Sequence, residues 1–210
     1  MCGSVGGDFY DFIRANDDQI VVLIGDVVGH GVRASLVMAQ IMGYLRTRPP
    51  ALTRPREIMT TLNDLLIDLG ERVGSVLPCS MFYAVIDSPT GVSFFVNSGH
   101  PNPLLCQNGR CRYLTHGPRN LLLGVQDYEP DEGCHTFEPG QRLVLYTDGL
   151  TEAADNDGSL FGQERLEQAI RAALQVGPAE CADRVFQAVE DFRAGGAQTD
   201  DESIVIIDRV

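Results

Sequence analysis

The sequence predicts an α+β fold, and three observations carry that expectation. Strand-like runs follow one another across tight turns, which implies antiparallel pairing. Helical patterns come in two pairs, set apart from the strands rather than alternating with them. The chain has 210 residues, 44% apolar and 21% charged, enough for a full core in an ordinary globular balance.

Taken in order, Phe9 to Arg14 and the β-branched run Ile20 to Ile24 read as two strands around the polar turn Asn16-Asp17-Asp18. From Val32 to Leu45 the chain is apolar almost all round, which predicts a buried helix, ended by Arg48-Pro49-Pro50. A second helix starts near Pro55, with Ile58, Leu62, Leu65, Leu66 and Leu69 on one stripe. Met81 to Ile86 and Val92 to Val96 are strands around a turn at Asp87 to Gly91. Leu104 to Gln107 and Arg110 to Leu114 bracket Asn108-Gly109, the strongest hairpin signal present. Thr115 to Gly133 lacks a period and reads as a long loop. Arg142 to Tyr146 is a further strand. Leu166 to Leu174 and Cys181 to Phe192 carry two helical stripes, and Ser203 to Ile207 is the last strand. With no internal repeat and no linker, residues 1–210 are expected to form a single domain.

The formal net charge is −13, and every cationic side chain is arginine. That balance argues against nucleic acid, whose binding depends on cations that neutralise phosphates. No apolar run reaches the roughly 20 residues of a membrane span, and no signal-peptide stretch follows Met1. The six cysteines form no C-x-x-C pair, so zinc and redox motifs are not expected. Cys106 and Cys111 flank the Asn108-Gly109 turn and could face each other, but reduced thiols in a cytoplasmic protein are the expectation.

The chemistry is concentrated in acids at strand ends. Asp26 follows Ile20 to Ile24, Asp148 follows the strand ending at Tyr146, Asp200 and Asp201 precede Ser203, and Asp8 follows Gly6-Gly7. One Asp beside a Gly is ordinarily a turn residue. Four such positions, each tied to an apolar strand, are a different matter. Carboxylates brought together repel, and divalent cations remove the conflict. Oxygen-only ligands favour hard ions, and the spacing is not that of an EF-hand, so Mg²⁺ or Mn²⁺ is preferred. Such a site can activate water against phosphorus.

These residues also carry a family resemblance. The segments Val5-Gly6-Gly7-Asp8-Phe9-Tyr10-Asp11, Gly25-Asp26-Val27-Val28-Gly29-His30-Gly31-Val32, Asn97-Ser98-Gly99-His100-Pro101, Leu122-Leu123-Gly124-Val125, Tyr146-Thr147-Asp148-Gly149-Leu150-Thr151-Glu152-Ala153 and Asp200-Asp201-Glu202-Ser203 occur in family order. Together they resemble the PPM-type (protein phosphatase 2C-like) phosphatases, in the bacterial stage II sporulation protein E and RsbU branch. The resemblance implies a four-layer α-β-β-α sandwich, with two central antiparallel sheets flanked by helices and two divalent metal ions, Mn²⁺ or Mg²⁺, at one end. It implies Asp26 as bridging ligand, the Val27 carbonyl and Asp8 as further ligands, and Asp148 and Asp200 on the other metal, with Asp201 as a substitute for Asp200. Asp8, Asp26, Asp148 and Asp200 would be the catalytic set. A metal-bridged water would attack phosphoserine or phosphothreonine without a phosphoenzyme. The implied partner is a phosphorylated regulatory protein, an anti-sigma-factor antagonist. An upstream sensor domain is a further expectation, because family members carry a strand and often a sensor before the first motif, and a homodimer is another, because the helices after the second motif can form a dimer surface in this family.

Other residues have plainer readings. His30 is read as a helix-start residue, His100 as a turn residue, and Arg33 as an exposed first-turn cation that could attract phosphate. Gly25, Gly29 and Gly31 lack the Lys-Ser/Thr of a P-loop. Two competing functions stand beside the phosphatase: a catalytically silent family member that binds a partner, and a hydrolase of small phosphoesters.

Overall fold

The computed structural model describes residues 6–29, 31–47, 52–115 and 120–210. The chain divides into two compact units: Met1–His100 with Thr115–Phe137, and Pro101–Leu114 with Glu138–Val210. His30 and the Arg48-Pro49-Pro50 stop lie outside the described residues.

The first unit is built on strands β1 (Asp8–Arg14), β2 (Gln19–Val27), β3 (Cys79–Asp87), β4 (Val92–Ser98) and β7 (Gly133–Thr136). They form one antiparallel sheet in the order β1-β2-β3-β4-β7. The β1–β2 turn is closed by Asn16, whose side-chain oxygen accepts from the Asp18 and Gln19 amides. Val21 to Ile24 are buried on both faces of the sheet, which is why β2 reads as a continuous apolar run rather than an alternation.

Helices α1 (Val32–Arg46) and α2 (Pro55–Val73) share one core with this sheet. α1 buries the single stripe Ala34, Val37, Ile41 and Leu45. The expectation of an all-round buried helix is corrected here, since Val32 and Leu36 are 66% and 65% exposed. α2 opens on Pro55 and ends on Gly74 in the left-handed region.

The Thr115–Gly133 stretch, read as a loop, is tied down where it is described. Cys79 and Leu123 exchange both backbone hydrogen bonds, at 3.0 and 2.9 Å. Buried Asn63 of α2 accepts from the Gly124 amide and donates to the Gln126 carbonyl. The strand that follows, β7, was not legible in the sequence. It is four residues long and pairs at the sheet edge.

The second unit holds β5 (Leu104–Gln107), β6 (Arg110–Tyr113), β8 (Arg142–Tyr146) and β9 (Ile204–Asp208), antiparallel in the order β6-β5-β8-β9. Asn108 and Gly109 both have positive φ, at 52° and 77°, as the two-residue hairpin requires. Cys106 and Cys111 sit opposite each other across that hairpin and are joined by a disulfide, which corrects the expectation of free thiols for this pair. Cys79, Cys134 and Cys181 are free.

Helices α4 (Gly162–Ala172) and α5 (Pro178–Arg193) share a core with this sheet through Leu166, Ile170, Val185 and Val189. Arg142, almost wholly buried, binds Asp208 with both ends of its guanidinium and caps the Ala173 and Val176 carbonyls. A one-turn helix, α3 (Asp148–Glu152), follows β8 directly. No described helix is long and apolar enough to cross a membrane.

Candidate functional site

In the first unit, the β1–β2 register sets Asp8 directly opposite Asp26. Directly opposed residues of an antiparallel pair lie about 4.5–5.5 Å apart and project to the same side. Two like charges so placed destabilise a sheet unless something offsets them.

The backbone beside the pair is arranged around an absent side chain. A Cβ on Gly7 would stand 2.4 Å from the Val27 carbonyl oxygen and 2.6 Å from Asp26 Oδ1. Only glycine leaves these two oxygens in place. The Val27 amide donates to the Gly7 carbonyl at 3.2 Å, which fixes the approach. Three oxygen donors are thus gathered at one end of the sheet: two carboxylates and the Val27 carbonyl. That donor set suits a hard divalent cation.

Two neighbours support Asp26. Ser80 lies opposite it on β3, and Ser80 Oγ is 2.9 Å from His100 Nδ1. His100 is buried, and its amide donates to Asn97 Oδ1 at 2.9 Å, which ties it back to the end of β4. Ser80 carries no motif signal, and only the strand register reveals its position. Cys79 is fully buried. Burial pushes its thiol well above the ordinary range, and the Asp26 carboxylate adds to the shift. It stays protonated and offers no thiolate nucleophile.

In the second unit, Asp148 begins α3 immediately after β8. The end of β8 is stapled to the start of β9. The Thr147 amide donates to the Ser203 carbonyl at 3.1 Å, and the Ser203 amide donates to Thr147 Oγ1 at 2.9 Å. A Cβ on Gly149 would fall 1.9 Å from the Asp201 carbonyl oxygen, so the Asp200-Asp201 backbone rests directly on the residue after Asp148. The Asp201 amide donates to Asp200 Oδ1 at 2.8 Å. Arg193, a buried residue of α5, pairs with Glu190 at 2.6 Å and with Glu202. Burial raises the Glu202 carboxyl, and the Arg193 cation works against that shift.

The structure therefore brings Asp8 to Asp26 in one unit, and Asp148 to Asp200 and Asp201 in the other. Among the described residues, no group of three or more His, Cys, Asp or Glu side chains is arranged to hold a metal ion. Gly7, Gly149, Thr147 and Ser80 were not singled out as site residues from the sequence. Their roles lie in close approaches between segments distant in the chain.

Two antiparallel sheets, each with its own helices, and acids at the strand ends define a PP2C-like α+β protein. The model of the stage II sporulation protein E (SpoIIE) family matches residues 16–210, and the chain belongs to that family. It is 23% identical over 209 residues to the phosphoserine phosphatase RsbU of Bacillus subtilis, covering 98% of this chain and 60% of RsbU. Its fold matches the SiaA-PP2C domain of Pseudomonas aeruginosa with a TM-score of 0.81 at 21% identity, covering 98% of this chain and 82% of that one. It also matches RsbX solved in complex with magnesium, with a TM-score of 0.67 at 17% identity over 96% of this chain and 86% of that one. The chain spans between 36% and 60% of the length of the curated relatives it matches.

Proposed function

We propose that this chain is a divalent-metal-dependent protein phosphatase that hydrolyses phosphoserine or phosphothreonine on a regulatory protein. The observation that carries the reading is the Asp8–Asp26 opposition, with Gly7 keeping any side chain out of the space beside the Val27 carbonyl and Asp26 Oδ1. On this reading Asp8, Asp26, the Val27 carbonyl, Asp148 and Asp200 hold two ions, Mn²⁺ or Mg²⁺, with Asp201 standing in for Asp200. When bound, such ions supply the Lewis acidity that activates water and offsets phosphoryl charge.

The chain's own residues supply the rest. The Asp8–Asp26 register keeps two carboxylates on one side of the sheet. The Thr147–Ser203 staple holds Asp148 beside the Asp200-Asp201 segment. Cys79, whose thiol burial keeps protonated, is not part of the proposed chemistry, which uses direct attack by water.

Similarity to the phosphoserine phosphatase RsbU supports a phosphoserine protein as substrate, and a phosphorylated anti-sigma-factor antagonist is the regulatory protein proposed. We further propose that residues 1–210 act as one catalytic domain, in keeping with a family match that runs through both units. A cytoplasmic location, an upstream sensor domain and a homodimer belong to the same reading.

The test is turnover of a phosphoserine protein with Mn²⁺, alongside calorimetric metal titration. Asp26→Asn is expected to lose metal binding and to lower kcat by at least about 100-fold. Turnover that survives EDTA, or that persists in Asp26→Asn, overturns the reading. Tight partner binding with no metal uptake would instead identify a catalytically silent member. A rate on p-nitrophenyl phosphate that exceeds the phosphoprotein rate would identify a small-phosphoester hydrolase.

A further inference from the structure

The first unit leaves an apolar wall uncovered where β2 runs into α1. Val28, Val32 and Val76 are 56%, 66% and 59% exposed, although each is a β-branched aliphatic residue. Val28 and Val76 line a groove of about 250 Å³, together with Val27, Gly29 and Arg33. Buried Ala34, Val37 and Leu77 form its floor. The groove begins one residue from Asp26. A groove of this volume has room for an aliphatic side chain.

Charge identifies the occupant. The chain carries −13 overall, yet this groove holds a cation and no acid. Among the described residues of the unit, Arg14, Arg46, Arg54, Arg56 and Arg72 each pair with a carboxylate. Arg33 pairs with none of them. An exposed, uncompensated guanidinium on an acidic protein suits an anion, and a phosphorylated side chain brings about −1.5 to −2 charge. An apolar groove with a cationic rim therefore fits a phosphorylated segment whose neighbouring residue is aliphatic.

We propose that the groove between the start of α1 and the Val76-Leu77 segment is the docking subsite for the phosphoprotein substrate. It takes an aliphatic side chain next to the phosphoserine, while Arg33 faces the charged group. The proposal rests on the phosphatase reading for its occupant and adds a selectivity that the acids alone do not provide.

The experiment separates docking from catalysis. Labelled phosphoserine peptides carry Leu at one or two residues to either side of the phosphoserine, or Ser in the same place. Binding is read by fluorescence anisotropy in EDTA, and turnover is read separately in Mn²⁺. The native chain is expected to bind the best Leu peptide about tenfold more tightly than its Ser counterpart. Val28→Ser and Val76→Ser remove that preference. Both positions are exposed, so the core is untouched. Arg33→Ala weakens all the peptides alike, and Arg33→Lys restores part of the loss. Equal binding of Leu and Ser peptides by the native chain overturns the proposal, as does a preference that survives both Val variants. If Arg33→Ala changes nothing, the cationic half is wrong. A preference intact in a chain that turns over nothing supports docking and removes only the phosphatase reading.

Discussion

Gly7 stands at a backbone approach so close that a single methyl group would enter it. An alanine there must move either the Val27 carbonyl or the Asp26 carboxylate, because its Cβ would lie 2.4 and 2.6 Å from their oxygens. Gly7→Ala is expected to weaken Mn²⁺ binding by tenfold or more in calorimetry, at a stability cost of about 1–3 kcal/mol. Unchanged affinity would detach these oxygens from the metal. Tyr83 offers a prediction in pH. Burial pushes its phenol above the ordinary 10.0, with Tyr44 adding to the shift. The folded state then holds that proton more tightly than the unfolded chain. Stability is present in full below about pH 10 and is lost as pH rises above it. Urea unfolding at pH 8 and pH 10.5 should show the decline, and Tyr83→Phe should flatten it. Buried Tyr146 shifts the same way, so part of the decline remains. At neutral pH, Tyr83→Phe should cost about 1 kcal/mol for the lost hydrogen bond to the Leu52 carbonyl. At this scale the strand-end positions of Asp8, Asp26 and Asp148 were legible, because each borders a strongly apolar strand. The sequence did not reveal Gly7 or Gly149 as spacers. A close approach between residues 7 and 27, or 149 and 201, leaves no mark in the local pattern.

Among the elements, α1 and the Thr115–Gly133 stretch departed most from expectation. The all-apolar pattern of α1 suggested burial on every side, but the helix has only one sheet to pack against, and that accounts for one stripe. The stretch after Thr115 has no period because its order comes from side-chain ties to α2 and β3, not from its own backbone ladder. Asn63 supplies two of those ties from a buried position. Asn63→Ala strands the Gly124 amide and the Gln126 carbonyl and is expected to cost about 2–4 kcal/mol in urea unfolding. Amide exchange should rise around Leu123 and Gly124 before it rises in β2. By contrast, the β5–β6 hairpin and its turn were read correctly, with β6 ending one residue earlier than expected, since Asn-Gly admits positive φ at both turn positions.

For the whole molecule, the antiparallel α+β class was visible in the element order, whereas the division into two units was not. No composition shift or linker marks it, because the chain passes between the units at Pro101, Thr115 and Glu138 within short connections. On the proposed metal-dependent reading, saturating Mn²⁺ should raise the thermal midpoint, with about 2.7 kcal/mol of stabilisation at 100 times Kd. Asp26→Asn and Asp148→Asn should each abolish most of that gain. A midpoint indifferent to Mn²⁺ would place the acids in no common site.

One buried ion pair extends the reach of this arrangement. Arg193 fastens the outer helix α5 to Glu202, two residues from Asp200. Any partner that levers α5 away from its sheet pulls on the acidic segment by the same bolt. A pull on that helix is thus expected to be felt at Glu202 and the residues beside it.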